Sequence, residues 1–344
     1  MIYWNVNAKK TNAQNQQDTV LSSAMFEELR VVVLANESST TRTLKEKLLT
    51  NKAFEKINET LILDYTLEAI INGLNPQEIY VYANENYLRE SKFFGMFKCI
   101  PPSDKSFYGT VTKTLDYIKP QDGEFIYFNC CDHIFMTPSA HRRFLKKASQ
   151  YIYDKNIISP VALPDRMLEN ICGRDYVHTR EFSFRVSGSA LIRPQSIKLD
   201  RIALGYSLRK LEEPAIMLQS IKEMLNILGS DSPRILRDFS ILIIARELNK
   251  IYRQTRLNIF KKARDLFKNR VPIYKLEGYI AKMIGTEGIK LIPDGAHIGM
   301  DIDFKHEHEM YSRHYEKIIE RARRIDASLD NGDVLDNYLK AGIR

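Results

Sequence analysis

The sequence predicts a doubly wound α/β fold with a mixed sheet and a helical insertion, and three observations carry that prediction. Short runs rich in β-branched and aromatic residues recur near residues 29–35, 78–83 and 124–131. Each is followed by a helical pattern, and strand and helix in alternation build a parallel sheet with helices on both faces. Between Tyr176 and Arg193 the period shifts toward two, with Phe182, Phe184 and Val186 and then Ala190, Leu191 and Ile192. That shift reads as antiparallel strands covering one side of a site.

Residues 1–28 form a polar lead-in. The run Leu29 to Ala35 has the composition of a strand buried on both faces. A Ser- and Thr-rich stretch, Asn36 to Thr43, comes next, with helical patterns around residues 43–49 and 64–73. Glu78 to Ala83 is a second strand, Phe107 to Ile118 a helix, and Glu124 to Cys131 a third strand ending in Asp132. The helix from Pro138 to Ile152 has Thr137 as its N-cap and Pro138 at its first position. Residues 208–270 are strongly helical, with Pro214 and Pro233 near helix starts. After Pro272 another helix leads to a short strand, Lys290 to Ile292, and then through Gly299-Met300-Asp301-Ile302-Asp303 into a charged last helix. These segments divide the chain into an α/β domain over 29–205 and 276–325, a helical insertion over 206–275 and a tail over 326–344. No internal repeat is present.

A chain of 344 residues is long for one core, so one large domain with an appended element, or two domains, is expected. Its 44% apolar and 27% charged residues exclude wholesale disorder, a collagen-like chain and a long coiled coil. A net charge of +8 suits phosphates, nucleic acid or an acidic membrane surface without choosing among them. Cys99, Cys130, Cys131 and Cys172 lack metal spacing, and their usage points to a reducing compartment. No apolar h-region opens the chain and no run of about 18 apolar residues occurs, so a soluble, cytoplasmic protein is expected.

Asp132 is the leading chemical candidate. A carboxylate at the C-terminal end of a buried strand stands where open α/β sheets bind ligands. Phosphoryl and nucleotidyl transfer need one there to hold a divalent cation, although a cap on the turn into the next helix explains the residue equally well. Asp301 and Asp303 form a D-x-D pair whose side chains share one face of an extended segment. They read as further metal ligands or as a solvated turn. Lys52 and Arg42 are suitable charges for a triphosphate, within a chain that holds 51 Lys and Arg. The loop after the first strand, Leu34 and Ala35 through Asn36, Glu37, Ser38, Ser39, Thr40 and Thr41, offers amides and hydroxyls to phosphates but contains no glycine. His297, His306, His308 and His314 stand near Glu307 and Glu309, a grouping that a solvated helix face explains as well as a transition metal does.

Taken in order, these segments resemble the NTP-transferase family that includes molybdenum cofactor guanylyltransferase and sugar-phosphate nucleotidyltransferases. The first strand and its loop through Arg42 stand where the family has a strand and a Gly-rich loop ending in Thr-Arg. Lys52-Ala53-Phe54 is similar to the family's Lys-Ala-Leu, and Leu61 to Ile70 to the helix that follows. Asn129 to Pro138 resembles the segment whose aspartate binds the metal, and Gly299 to Asp303 the closing element that supplies a second ligand. Arg174 to Val177 and Ser187-Gly188-Ser189 resemble the region contacting the acceptor. The loop has lost the family's glycines, Phe304 and Lys305 replace Thr-Pro, and Ser187-Gly188-Ser189 replaces Gly-Gly-Asn.

The resemblance implies a Rossmann-like mixed sheet of the nucleotide-diphospho-sugar transferase type. It also implies Mg2+-dependent transfer of an NMP group from an NTP to a phosphorylated small-molecule acceptor. In that reading Asp132, Asp301 and Asp303 hold magnesium, while Lys52 and Arg42 stabilise phosphate charge. The nucleotide lies against Leu34, Ala35, Asn36, Ser38, Ser39, Thr40, Thr41 and Asp132. Arg174 orients the acceptor, with Tyr176, Ser187, Gly188 and Ser189 around it. A glycosyltransferase of the related nucleotide-sugar fold and a catalytically degenerate nucleotide-binding relative remain alternatives. A homodimer and a peripheral membrane contact stay open, and nucleic acid is disfavoured as a partner.

Overall fold

The computed structural model describes residues 29–35, 52–102, 107–165, 167–168, 171, 176–201, 222–223, 225–268, 270–302 and 305–330. The first strand, β1 (Arg30–Leu34), leads through a short turn at Lys52–Phe54 to a small hairpin, β2 (Lys56–Ile57) and β3 (Thr60–Leu61). Then come α1 (Ile62–Leu74), β4 (Glu78–Tyr82), α2 (Glu85–Leu88), β5 (Lys98–Ile100), α3 (Phe107–Ile118), β6 (Ile126–Cys130), α4 (Pro138–Ala148) and β7 (Ile157–Ala162). Three strands follow, β8 (Val177–His178), β9 (Ser183–Val186) and β10 (Ser189–Ile192). Helices α5 (Ser232–Thr255), α6 (Asn258–Phe267) and α7 (Ile273–Ile284), strand β11 (Ile289–Asp294) and helix α8 (Lys305–Asp330) come last among the described residues.

Nine strands form one sheet in which β5, β4, β1 and β6 run parallel, β10 turns antiparallel, and β7 returns parallel with β11 along its far edge. Strands β9 and β10 are two halves of one antiparallel run. The first half pairs with the end of β7 (Val161↔Val186) and the second with its beginning (Leu191↔Ile158), so the register slips by two residues at the Ser187–Gly188 kink between them. Past that kink β10 also takes up β6 as its other partner.

Alternation along the strands sends side chains to two separate layers. Val31, Val33, Val81, Tyr127 and Leu191 meet Leu63, Leu67 and Ile70 of α1 and Phe144, Leu145 and Ala148 of α4. Val32, Tyr80, Tyr82, Ile126 and Phe128 meet α3 on the opposite face, beside the layer that β7, β9 and β11 share with α5 and α7. The spacing of Leu63, Leu67 and Ile70 is one helical stripe, and each such side chain contributes about 1.5–3 kcal/mol when withdrawn from water. Helix α1 stops where Asn75 turns left-handed, with its N–H on the Ile71 carbonyl at 3.3 Å. Helix α4 starts where Thr137 accepts from the Ala140 N–H at 3.1 Å, with Pro138 at the first helical position.

Four strands escape the sequence reading. Strands β2 and β3 are two residues each, β5 is three residues long, and β7 carries Pro160 in the interior of a strand paired on both edges. A proline is excluded from a central ladder because it has no N–H to give. Here it falls opposite the kink between β9 and β10, where the ladder is interrupted. The helix expected around residues 43–49 and the region of Pro214 lie outside the described residues.

Helix α8 returns across the molecule and is anchored by a buried cation. Arg143 on α4 reaches both oxygens of Asp294 at the end of β11, Asp326 at 2.8 Å and Asp330 at 2.9 Å. Thr137, the cap of α4, also bonds to Asp326. The apolar side of α8 closes over Ile57, Ile62 and Phe135. Among the described residues no helix is long and apolar enough to cross a membrane.

Candidate functional site

The C-terminal ends of β1 and β6 converge on a buried cluster of charged and polar groups. The Cys131 N–H bonds to the Leu34 carbonyl at 3.2 Å and Thr66 of α1 bonds to the Cys131 carbonyl at 2.7 Å, so the chain leaves β6 in a held direction. The next residue is Asp132, 3% exposed, and its carboxylate is ion-paired with the Lys52 ammonium. Lys52 gets there because it sits on the turn ahead of the β2–β3 hairpin, whose Glu55 carbonyl accepts from the Ile62 N–H at 2.9 Å. That contact fixes the turn to the start of α1.

His133 follows and is fully buried within the same cluster. Its Nε2 accepts from the Gly188 N–H at 3.1 Å, which leaves the ring proton on Nδ1, 3.5 Å from the Ser189 hydroxyl. Burial pushes the imidazole below its ordinary range; Asp132 and Asp301 pull it back up, while Lys52 and Arg185 push it further down. The ring is therefore neutral at pH 7, a hydrogen-bonding strut with two carboxylates and two cations around it. Ser189 in turn contacts Asn129, and the Ser159 hydroxyl bonds to the Ser189 carbonyl at 2.9 Å.

Gly188 is required at the kink. A Cβ there would lie 2.6 Å from His133 Nε2 and 2.9 Å from Cys130 Sγ, closer than any side chain tolerates. Its carbonyl accepts from the Cys130 N–H at 3.0 Å, so the kink is sewn to the end of β6 from both sides.

The second pair is Arg185 with Asp301. Arg185 projects from β9, and Asp301 follows the short helical turn Ala296–Gly299 that ends β11. Both side chains are partly buried, 18% and 26% exposed, which keeps them reachable by a ligand.

The structure thus gathers Lys52, Asp132, Ser187, Gly188, Ser189 and Asp301 from the sequence-expected set, with Leu34 and Ala35 at the adjoining end of β1. Tyr176 is buried at the start of β8, two strands beyond β7, and stands apart from this group in the sheet order. Asn36, Ser38, Ser39, Thr40, Thr41, Arg42, Arg174 and Asp303 lie outside the described residues. Three members escape the sequence reading: His133, Arg185 and Asn129. Arg185 had a legible signal, because Ser183, Arg185 and Ser187 alternate with the apolar Phe182, Phe184 and Val186.

Among the described residues no group of three or more His, Cys, Asp and Glu is placed to hold a metal ion. His308 instead contacts the Lys56 carbonyl at 3.0 Å, and His297 is buried 3.2 Å from Asp326. Asp132 and Asp301 are the carboxylates available to a hard cation. Two of them suit magnesium, which takes one or two carboxylates and completes its shell with water and substrate phosphates.

No protein-family model matches this sequence, and no curated protein matches it. Solved structures do. A hypothetical transferase from Thermus thermophilus superposes with a TM-score of 0.51 at 13% identity, covering 82% of this chain and 99% of the other. A CMP:2-keto-3-deoxy-manno-octonic acid synthetase complexed with CTP matches with a TM-score of 0.41 at 13% identity over 63% and 98% of the two chains. A 4-diphosphocytidyl-2C-methyl-D-erythritol synthase from Anaerococcus prevotii matches with a TM-score of 0.42 at 9% identity over 86% and 99%. With its parallel half, its antiparallel β10 and its helices on both faces, the chain has the Rossmann-like mixed-sheet fold of the nucleotide-diphospho-sugar transferase type, the fold it shares with the Thermus thermophilus transferase.

Proposed function

We propose that the chain is a magnesium-dependent nucleotidyltransferase that moves an NMP group from an NTP to a phosphorylated acceptor. The observation that carries this reading is the Lys52–Asp132 pair buried at the end of β6, with the Arg185–Asp301 pair around the same histidine. Two cations and two carboxylates balance one another before a ligand arrives. A triphosphate brings competing negative charge, so Lys52 and Arg185 turn to phosphate oxygens and the two carboxylates are released. Asp132 and Asp301 would hold magnesium, which would neutralise charge developing on the phosphates.

An acceptor phosphate oxygen forms a bond to the α-phosphorus, the bond from that phosphorus to the bridging oxygen of the β-phosphate breaks, and pyrophosphate leaves. Lys52 stabilises the departing charge from a fixed position. His133 keeps the Gly188 kink and the neighbouring Asp132 in place while remaining neutral. Positioning and electrostatics do the work, with no covalent enzyme intermediate.

Pyrophosphate release, measured for each NTP with magnesium across a panel of phosphorylated acceptors, tests the reading. Acceptor-dependent release that falls by about 10²–10³-fold in Lys52→Ala, the scale of losing one preorganised charge-stabilising group, is the expected result. Asp132→Ala is expected to fall at least as far. Free nucleoside diphosphate formed from a nucleotide sugar, with no pyrophosphate from any NTP, would overturn it.

A further inference from the structure

On the sheet face opposite α1 and α4, a chamber of about 670 Å3 lies between β6, β9 and β10 and helices α3, α5 and α7. Its walls are hydrocarbon: Leu115, Phe184, Ala190, Leu242, Leu276 and Ile280 are among them, and Arg246 is the one charged side chain on them among the described residues. One part of the wall is the Ser187–Gly188–Ser189 kink that holds His133, and another is Leu34 at the end of β1. The chamber therefore borders the residues around the Lys52–Asp132 pair. Val186 and Ile243 line it while being 56% and 52% exposed, so it opens to solvent through an apolar mouth. Leu236 and Ile244 of the same helix α5 are also exposed, and α6, folded back on α5, exposes Ile259 and Leu266, with Leu257 just ahead of it, among Lys261, Lys262 and Arg264.

A sugar phosphate placed in such a space would leave its hydroxyls without partners, which is the costly way to bury polar groups. A hydrocarbon chain has no polar group to leave without a partner, and it gains the withdrawal of its surface from water. The Ser187 hydroxyl at the kink, and Arg246 on the wall once it turns from its surface partner Glu247, give an anionic head a place that the rest of the chamber denies it. We propose that the ligand of this chamber is the hydrocarbon chain of a phosphorylated lipid whose phosphate reaches the Gly188 kink beside Asp132. As the identity of the acceptor, this rests on the nucleotidyl transfer proposed above; as a binding site, it does not.

Calorimetric titration of the full chain with n-alkyl phosphates from ethyl to decyl, below their micelle concentrations, tests it. Affinity is expected to rise about fourfold for each added methylene until the chamber is full, the equivalent of ~0.8 kcal/mol per group. Ala190→Phe and, separately, Ile280→Trp fill the chamber from two walls. Each is expected to weaken decyl phosphate at least tenfold while leaving ethyl phosphate and the melting temperature close to wild type. An affinity independent of chain length in the wild-type protein overturns the proposal, as does undiminished decyl phosphate binding by a folded filling variant. A dimer that dissociates when decyl phosphate binds would assign the mouth to a second copy and overturn it as well. Pyrophosphate release with sugar phosphates alongside a flat alkyl series removes the chain and keeps nucleotidyl transfer. A steep alkyl series with no pyrophosphate from any NTP keeps the chain and removes nucleotidyl transfer.

Discussion

Gly188 shows how one missing Cβ organises the site. The kink between β9 and β10 must come within hydrogen-bonding distance of His133 and Cys130 together, and only a residue without a side chain fits there. Gly188→Ala forces either the imidazole or the strand away and leaves the Gly188 N–H and His133 Nε2 without each other. The expected cost is about 1–3 kcal/mol of stability, the range for an overpacked interior, read as a shift in urea midpoint. Because the same movement disturbs the residue after Asp132, turnover should fall by more than the loss of folded protein explains. A variant with wild-type stability and wild-type turnover would show that the kink has room the geometry denies. The local motif Ser187-Gly188-Ser189 marked this position for the site, but only the tertiary approach of β10 to β6 shows why the residue there has to be glycine.

At the scale of elements, the Arg143 network decides whether α8 stays docked. Arg143 is 7% exposed and faces Asp294 and Asp326, themselves 0% and 5% exposed. Removing it strands two buried carboxylates, a change that typically costs 3–5 kcal/mol. Arg143→Ala is therefore expected to lose about that much in urea denaturation and to expose α8 to limited proteolysis. Asp294→Asn added to it should recover part of the loss; no recovery would mean that packing, and not stranded charge, dominates. Strands β1, β4 and β6 were legible in the sequence because buried parallel strands are short apolar runs, α3 because of its period, and α4 because period and cap agree. Strand β7 was hidden by Pro160, which is tolerable only because a distant kink interrupts its partner, and β5 by its brevity. Of the site, Asp132 and Lys52 stood out as residue types in suggestive places. Their pairing, and the arrival of Arg185 against Asp301 from 116 residues away, depend on sheet order, which no window of sequence contains.

The whole molecule carries its buried histidines as a pH liability. His141 Nδ1 lies 2.9 Å from the Tyr127 hydroxyl within the α1–α4 layer, and burial, helped by His133, lowers the imidazole to about 3. His178 lies 2.7 Å from the Ser183 hydroxyl, and burial, with Lys268 and Arg264 nearby, lowers it to about 4. In the unfolded chain both titrate near their ordinary value of about 6.5. Below that pH the unfolded state takes up protons that the folded state refuses, so stability is whole above about pH 6.5 and declines as the solution is acidified. Each histidine contributes a slope of up to about 1.4 kcal/mol per pH unit until its folded value is reached. Asp326 extends the loss further. Burial alone would raise its carboxyl, but His297, Arg143 and Thr137 outweigh burial and hold it at about 2. Its contribution is present above the ordinary carboxylate value of about 3.9 and disappears as pH falls toward 2. Urea midpoints at pH 7.5, 6 and 5 should therefore fall steeply, with little change between pH 7.5 and 7. His141→Gln keeps a hydrogen-bonding partner for Tyr127 without a titrating ring, and should flatten the decline by one histidine's share. A midpoint that holds from pH 7.5 to 5 would mean that these rings gain access to water in the folded protein, and that the layer packed around Tyr127 is looser than its burial indicates.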